Sequence, residues 1–254
     1  MVNLNRMSNL SRLVILAACF IATQGFASGG GAKLASADID PDNVKSLQRG
    51  AANFMNYCSG CHSAQYVRYK TIGKDLDLTD EMLVDNLMFN ADKTFETIQA
   101  SMPADDAERW YGAAPPDLSL MARAKGADHI YNFLKGFYID TDSPTGVDNL
   151  ILPGASMPHV LWELQGYQAA HFEEHQNDNG SVTTTFEGFE QLTPGSLDSE
   201  DYDEFVRDTV NFLAYIAEPV RGFRMVLGKW VIMYLIFFLI IARMLKKQIW
   251  KDVK

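Results

Sequence analysis

The sequence predicts a mainly α-helical domain, wrapped by long loops and tied to a membrane by one C-terminal transmembrane helix. Three observations carry this. Apolar residues recur at spacings of three and four in separate segments. The stretches between them are dense in Gly, Pro, Asn and Asp, which favour turns and loops. Near the C-terminus lies an apolar run that, with its basic flanks, is long enough to span a bilayer.

Taken in chain order, the first segment is an export signal. Arg6 and Arg12 precede the apolar run Leu13 to Ala22, and Gly25-Phe26-Ala27 offers small residues for cleavage, so residues 1–27 read as a leader. Leu16-Ala17-Ala18-Cys19 also fits a lipoprotein cleavage box. From Asp38 to Cys58 the set Val44, Leu47, Ala51, Phe54 and Met55 predicts a helix, capped by Asp40 or Asp42. Thr79 to Asn90 predicts a second, through Met82, Leu83, Leu87 and Met88. Asp128 to Phe137 predicts a third, through Ile130, Phe133, Leu134 and Phe137. The clearest helix is Ser199 to Ala217, capped by Ser199 and stopped before Pro219, with Tyr202, Phe205, Val206, Val210, Leu213 and Ile216 on one stripe. The one strand signal is Val182 to Phe186 after Asn179-Gly180, read as a hairpin.

Trp230 to Ala242 carries no charge, and Lys229 and Arg243 at its ends can snorkel to the interface, so residues 223–245 form the span. The tail at 246–254 holds Lys246, Lys247, Lys251 and Lys254 against Asp252. Basic flanks stay cytoplasmic, which puts residues 28–222 on the periplasmic side of a bacterial inner membrane. Setting aside two basic residues in the leader and six from Lys229 onward leaves 14 of the 22. Setting aside Asp252 leaves 31 of the 32 acidic residues, so the outer part carries close to −17. Such a surface argues against nucleic acid and for a cationic partner.

Cys58-Ser59-Gly60-Cys61-His62 is the string that carries chemistry. Two thiols three apart reach the two vinyl groups of one haem edge, and the adjacent imidazole then sits under the iron. A thioredoxin-like pair would want a strand before the first Cys, where a helical pattern stands instead. A zinc site needs further ligands, and no Cys besides these two lies beyond the leader. For the sixth ligand, Met157 in Pro153-Gly154-Ala155-Ser156-Met157-Pro158 stands in a turn-forming loop without apolar periodicity. His159 and Met102 are rivals. His129 reads as an exposed helix residue, and His171 and His175 as part of a solvated face with Glu173 and Glu174.

These residues resemble the cytochrome c1 family, the haem-bearing subunit of the cytochrome bc1 complex. The resemblance rests on Arg49-Gly50 and the helix into Cys58-Ser59-Gly60-Cys61-His62-Ser63, then Tyr66 and Tyr69-Lys70. It continues through Ala114-Pro115-Pro116-Asp117-Leu118-Ser119 and the loop ending in Met157, and closes with Ala217-Glu218-Pro219 before the anchor. It implies a cytochrome c-like haem domain with one covalent haem c on Cys58 and Cys61, and His62 and Met157 as axial ligands. Pro115, Pro116, Asp117 and Leu118 would line the pocket, and Arg123 and Lys125 are offered to a haem propionate. The implied role is relay of single electrons from the Rieske iron–sulfur protein to a soluble or membrane-tethered c-type cytochrome, beside cytochrome b. No substrate bond is made or broken on this chain. A c-type haem subunit of a terminal oxidase or periplasmic dehydrogenase is the alternative, although such subunits more often carry an N-terminal anchor.

Overall fold

The computed structural model describes residues 34–176 and 182–252, the side chains of Glu174 and Val182 excepted. The expected leader, Cys19 and the Asn179-Gly180 turn lie outside the described residues.

Helix α1 (Val44–Tyr57) and the long helix α8 (Ser199–Ala217) form the centre of the domain. Leu47, Ala51 and Phe54 on the first, and Val206, Val210, Phe212 and Leu213 on the second, are all buried in one core, with the Phe54 and Phe212 rings 5.7 Å apart. Each such side chain withdrawn from water contributes roughly 1.5–3 kcal/mol before ordering entropy is counted. The two helices approach closely because Gly50 has no side chain: a Cβ there would lie 2.0 Å from the Asp208 carbonyl oxygen. A polar bridge crosses the same contact. Asp208 is buried, accepts from Ser46 Oγ at 2.5 Å and pairs with the Arg49 guanidinium. The hydrogen bond from Arg49 to Asp208 holds that guanidinium above its ordinary pKa, against the pull of burial.

The caps differ from expectation by one or a few residues, for a local reason. Asn43, and neither Asp40 nor Asp42, caps α1 by accepting from Ser46 N at 3.2 Å. Asp40 instead builds the lead-in turn, its side chain accepting from Asp42 N and its carbonyl from Asn43 N. Asp198 takes the cap of α8 from Ser199, because one carboxylate oxygen accepts from both Glu200 N and Asp201 N.

Between these helices run β1 (Ala64–Arg68), α2 (Tyr69–Asp75), α3 (Asp80–Asn86), β2 (Thr97–Ile98), α4 (Ala104–Tyr111), α5 (Met121–Lys125), α6 (Ala127–Lys135), β3 (Phe137–Ile139), β4 (Val147–Asn149), α7 (Trp162–Gln165), β5 (Gly166–Gln176) and β6 (Val182–Pro194). Thr79 caps α3, whose chain stops helical bonding at Leu87, short of Asn90. Phe137 was expected to end a helix and opens a strand instead, because Gly136 terminates α6 and Phe137 pairs with Asn149 of β4. Among the described residues the strands form three two-stranded antiparallel pairs, β1–β2, β3–β4 and β5–β6. The mainly α expectation therefore holds only in part, and the hairpin expected around Val182 to Phe186 is much longer than those five residues.

Helix α9 (Arg221–Ile249) follows α8 after three residues and buries none of its own. Its best window has a mean hydropathy of 2.4, and at 29 residues it is about 43 Å long. It begins two residues before the expected span and absorbs Lys246 and Lys247 of the basic tail into its last turn.

Candidate haem site

The site begins where α1 ends. Cys58 is the C-terminal cap of α1, and its carbonyl accepts from both Cys61 N at 3.1 Å and His62 N at 2.8 Å. That turn folds the motif back on itself, so both thiols and the imidazole leave one compact loop. Ser59 is buried and donates to the Met55 carbonyl at 2.7 Å, fastening the loop to the helix. Both cysteines are free. Burial, with the neighbouring Cys61 adding to it, pushes the Cys58 thiol up to about 12, and burial raises Cys61 as well.

His62 is held by its far nitrogen. Nδ1 lies 2.8 Å from the Pro116 carbonyl, which can only accept, so Nδ1 carries the proton by inference and Nε2 keeps its lone pair free. Burial lowers the imidazole pKa, with the Pro116 contact and the charge of Asp117 opposing it. The ring is thus kept neutral with one nitrogen committed and the other holding a free lone pair, the usual condition of a metal-ligating histidine.

The Pro115-Pro116 segment reaches His62 because Asp117 staples it there. The Asp117 carboxylate accepts from Ser63 Oγ and Gln65 N at 2.8 Å each and from Ser119 N at 2.9 Å. Leu118 N adds a bond to Ser63 O at 2.8 Å, and Tyr66 N one to Ser119 Oγ at 3.2 Å. Burial pulls the carboxyl pKa upward, but the bonds from Gln65, Ser119 and Ser63 prevail and hold it below the usual carboxylate value. The resemblance implied Asp117 only as a lining residue and not as a staple; a carboxylate directly after two prolines was the available signal.

Met157 is half-buried and packs against the same hydrophobic core as Cys58. Its loop is set by two residues that sequence reasoning missed. Asn149 is fully buried, donates to the Phe133 carbonyl at 2.8 Å, and accepts from Ile151 N and Leu152 N. Asp148 accepts from Gly154 N at 2.6 Å, and Gly154 has φ +76°, a turn that side chains resist. The signal was the Asp-Asn pair ahead of a Pro-Gly turn.

The rivals fare differently. His159 is buried, stacked on Phe137 at 5.1 Å and edge-on to Tyr167 at 6.4 Å, and neither ring nitrogen has a hydrogen-bond partner among the described residues. Burial pushes its pKa down to about 4. It serves as a core aromatic. Met102 is tied to the motif through its backbone, Met102 N donating to Gly60 O at 3.0 Å. Arg123 faces Glu218 at 3.9 Å, and with Lys125 it borders a cavity whose lining includes none of Cys58, Cys61, His62, Pro116 and Met157. His171 pairs with Glu190 at 2.8 Å and His175 with Glu173 at 3.4 Å, consistent with a solvated face.

Two free thiols on one turn, a neutral imidazole with one committed nitrogen, and a thioether at the rim of the same core fit a covalently held haem. The comparisons with known proteins agree. The profile of the Cytochrome C1 family matches residues 39–253. A cytochrome c1 of Allochromatium vinosum is 45% identical over 89% of this chain and 92% of its own length. The ammonia monooxygenase gamma subunit of Nitrosomonas europaea is 38% identical over 98% of this chain and 99% of its own. The mitochondrial cytochrome c1 haem protein of Schizosaccharomyces pombe is 26% identical over 82% of this chain and 67% of its own. A match spanning almost the whole described domain, on a site built to take covalent haem c, shows that the chain belongs to the cytochrome c1 family.

Proposed function

We propose that this chain is a one-electron relay in which Cys58 and Cys61 hold haem c through thioethers, with His62 and Met157 as axial ligands. The observation that carries the assignment is the His62 Nδ1 to Pro116 carbonyl contact, which leaves Nε2 as the ring's only acceptor. As a member of its family the chain is an electron-transfer subunit of the cytochrome bc1 complex, alongside cytochrome b and the Rieske iron–sulfur protein. The haem supplies reversible one-electron chemistry at its iron, tuned by its ligands and surroundings.

The chain's own residues do the holding. Pro116, held in place by Asp117, orients His62, and burial keeps the ring neutral; Asp148 and Asn149 fix the loop that presents Met157; Pro115 and Pro116 wall the pocket. Neither Arg123 nor Lys125 is assigned to a propionate, since both border a cavity apart from Cys58, Cys61, His62 and Met157. The domain at 28–222 is proposed to stand in the periplasm after loss of residues 1–27, with 223–245 crossing the inner membrane and 246–254 in the cytoplasm. The four lysines of that tail support this orientation. Electrons would arrive from the Rieske protein and leave to a soluble or tethered c-type cytochrome with a basic face.

Purification from solubilised membranes tests the reading. The chain should retain a haem stain on a denaturing gel and co-purify with a b-type cytochrome and a Rieske protein. The Cys58→Ala, Cys61→Ala double variant should lose the stain altogether. Co-purification with a terminal oxidase, a periplasmic dehydrogenase or a monooxygenase in place of those partners would replace this assignment.

A further inference from the structure

Away from the haem site, a cavity of about 490 Å³ opens where the domain meets its anchor. Its walls come from the segment before α1 (Leu34, Ile39), from α5 and the start of α6, from the end of α8 (Ala214, Ala217), and from Arg221, the first residue of α9. Arg123, Lys125, Arg221 and His129 bring donors to it; Asp128 and Glu218 are its carboxylates. Both acids are already engaged. Glu218 pairs with Arg224 at 2.5 Å and more loosely with Arg123 at 3.9 Å, and Asp128 accepts from Ala37 N at 2.8 Å. Arg221 makes no salt bridge among the described residues, and the guanidinium of Arg123, mostly exposed, has donors to spare. Gly126 gives the first turn of α6, which also borders the cavity, no side-chain cap.

The depth of this cavity follows from α9, whose first residue, Arg221, lines it. The charge-free run Trp230 to Ala242 is centred on Ile236. Arg221 lies 15 residues earlier, about 22 Å along the helix axis at 1.5 Å per residue. Half the hydrocarbon core is about 15 Å and half the bilayer with its headgroups about 20–22 Å. Arg221 and the cavity therefore stand at headgroup level, where phospholipid phosphates are found. Arginine suits such a group, since its fork gives two parallel bonds to phosphate oxygens. Leu34, Ile39, Ala122, Ala127, Ala214 and Ala217 leave the remaining wall apolar, as a glycerol backbone and the first acyl carbons require.

We propose that this cavity seats the phosphate and glycerol of one anionic membrane phospholipid, with Arg221 and Arg123 on the phosphate. The proposal rests on reading α9 as the membrane anchor. The test uses the haem-loaded full chain in its complex, stripped of lipid in detergent and titrated with phosphatidylglycerol, or separately with inorganic phosphate, retained phosphorus being counted per haem. Wild type should retain one phosphatidylglycerol more than Arg221→Gln or the cavity-filling Ala214→Leu, with at least tenfold weaker binding in each; Arg221→Lys should keep most of the affinity. Equal retention by wild type and both variants overturns the site. Saturation by inorganic phosphate without lipid uptake overturns the lipid as its source. Release of the protein by alkaline carbonate would mark failure of the anchor reading instead, since the site's own failure leaves the chain in the membrane.

Discussion

At the scale of single residues, Asp117 and Met157 bear the clearest consequences. The Asp117 carboxylate has its pKa depressed in the fold, so its contribution is present above the unfolded value of about 3.9 and is lost as pH falls through the folded one. Replacing it with Asn should cost roughly 1–3 kcal/mol at neutral pH, by loss of accepted hydrogen bonds. It should also make the acid limb of the stability curve below about pH 4 shallower than in wild type. Chemical denaturation of the holoprotein between pH 7 and pH 3 measures both. Met157→Leu should lower the haem midpoint potential by on the order of a few tenths of a volt and halt electron acceptance from the Rieske centre, because a soft thioether favours ferrous iron. A redox titration showing an unchanged potential would point to Met102 or His159. Legibility divides along chemical lines here. The cysteines and His62 stand together in five consecutive residues, and spacing alone exposes them. Asp148, Asn149 and the stapling action of Asp117 depend on hydrogen bonds across gaps in sequence, which no local pattern announces.

At the scale of elements, the crossing of α1 and α8 is the most demanding contact. Gly50→Ala would push a methyl group into the Asp208 carbonyl and Phe212 Cβ, at 2.0 Å and 2.8 Å, and cannot be relieved by a flexible side chain alone. Overpacking of this kind should cost about 1–3 kcal/mol or more, visible as a lowered Tm with little change in the haem spectrum. The helices α1, α3, α6 and α8 and the anchor α9 were readable from their apolar stripes or run, whereas α2, α4, α5 and α7, four to eight residues long, are too short to show one and were not read. The short strands β1 to β4 were not either, since their pairing is settled by contacts distant in sequence, Phe137 with Asn149 among them. The β5–β6 hairpin was read as a fragment. Polar and charged residues on its exposed surface blur the alternation that marks a half-buried strand, and Phe172, Phe186 and Phe189 cluster only once the two strands are paired.

At the scale of the whole molecule, charge is sorted by position: an acidic domain, an uncharged run, a basic end. The acidic part should draw a cationic electron acceptor by long-range attraction, so the second-order rate of haem oxidation by a basic cytochrome should fall roughly tenfold or more between low and high salt. Stopped-flow mixing across ionic strengths measures this, and a flat profile would remove electrostatic steering.

The joint between α8 and α9 is only three residues long. It is closed by backbone bonds from Glu218 N to Tyr215 O and from Arg221 N to Glu218 O, and braced by the Glu218–Arg224 pair. A domain joined so closely to its mooring has no tether on which to swing. Any gap wider than an electron can jump has to be crossed by the proteins that visit it, and lengthening this joint with a few glycines should loosen the geometry of those visits without altering the haem itself.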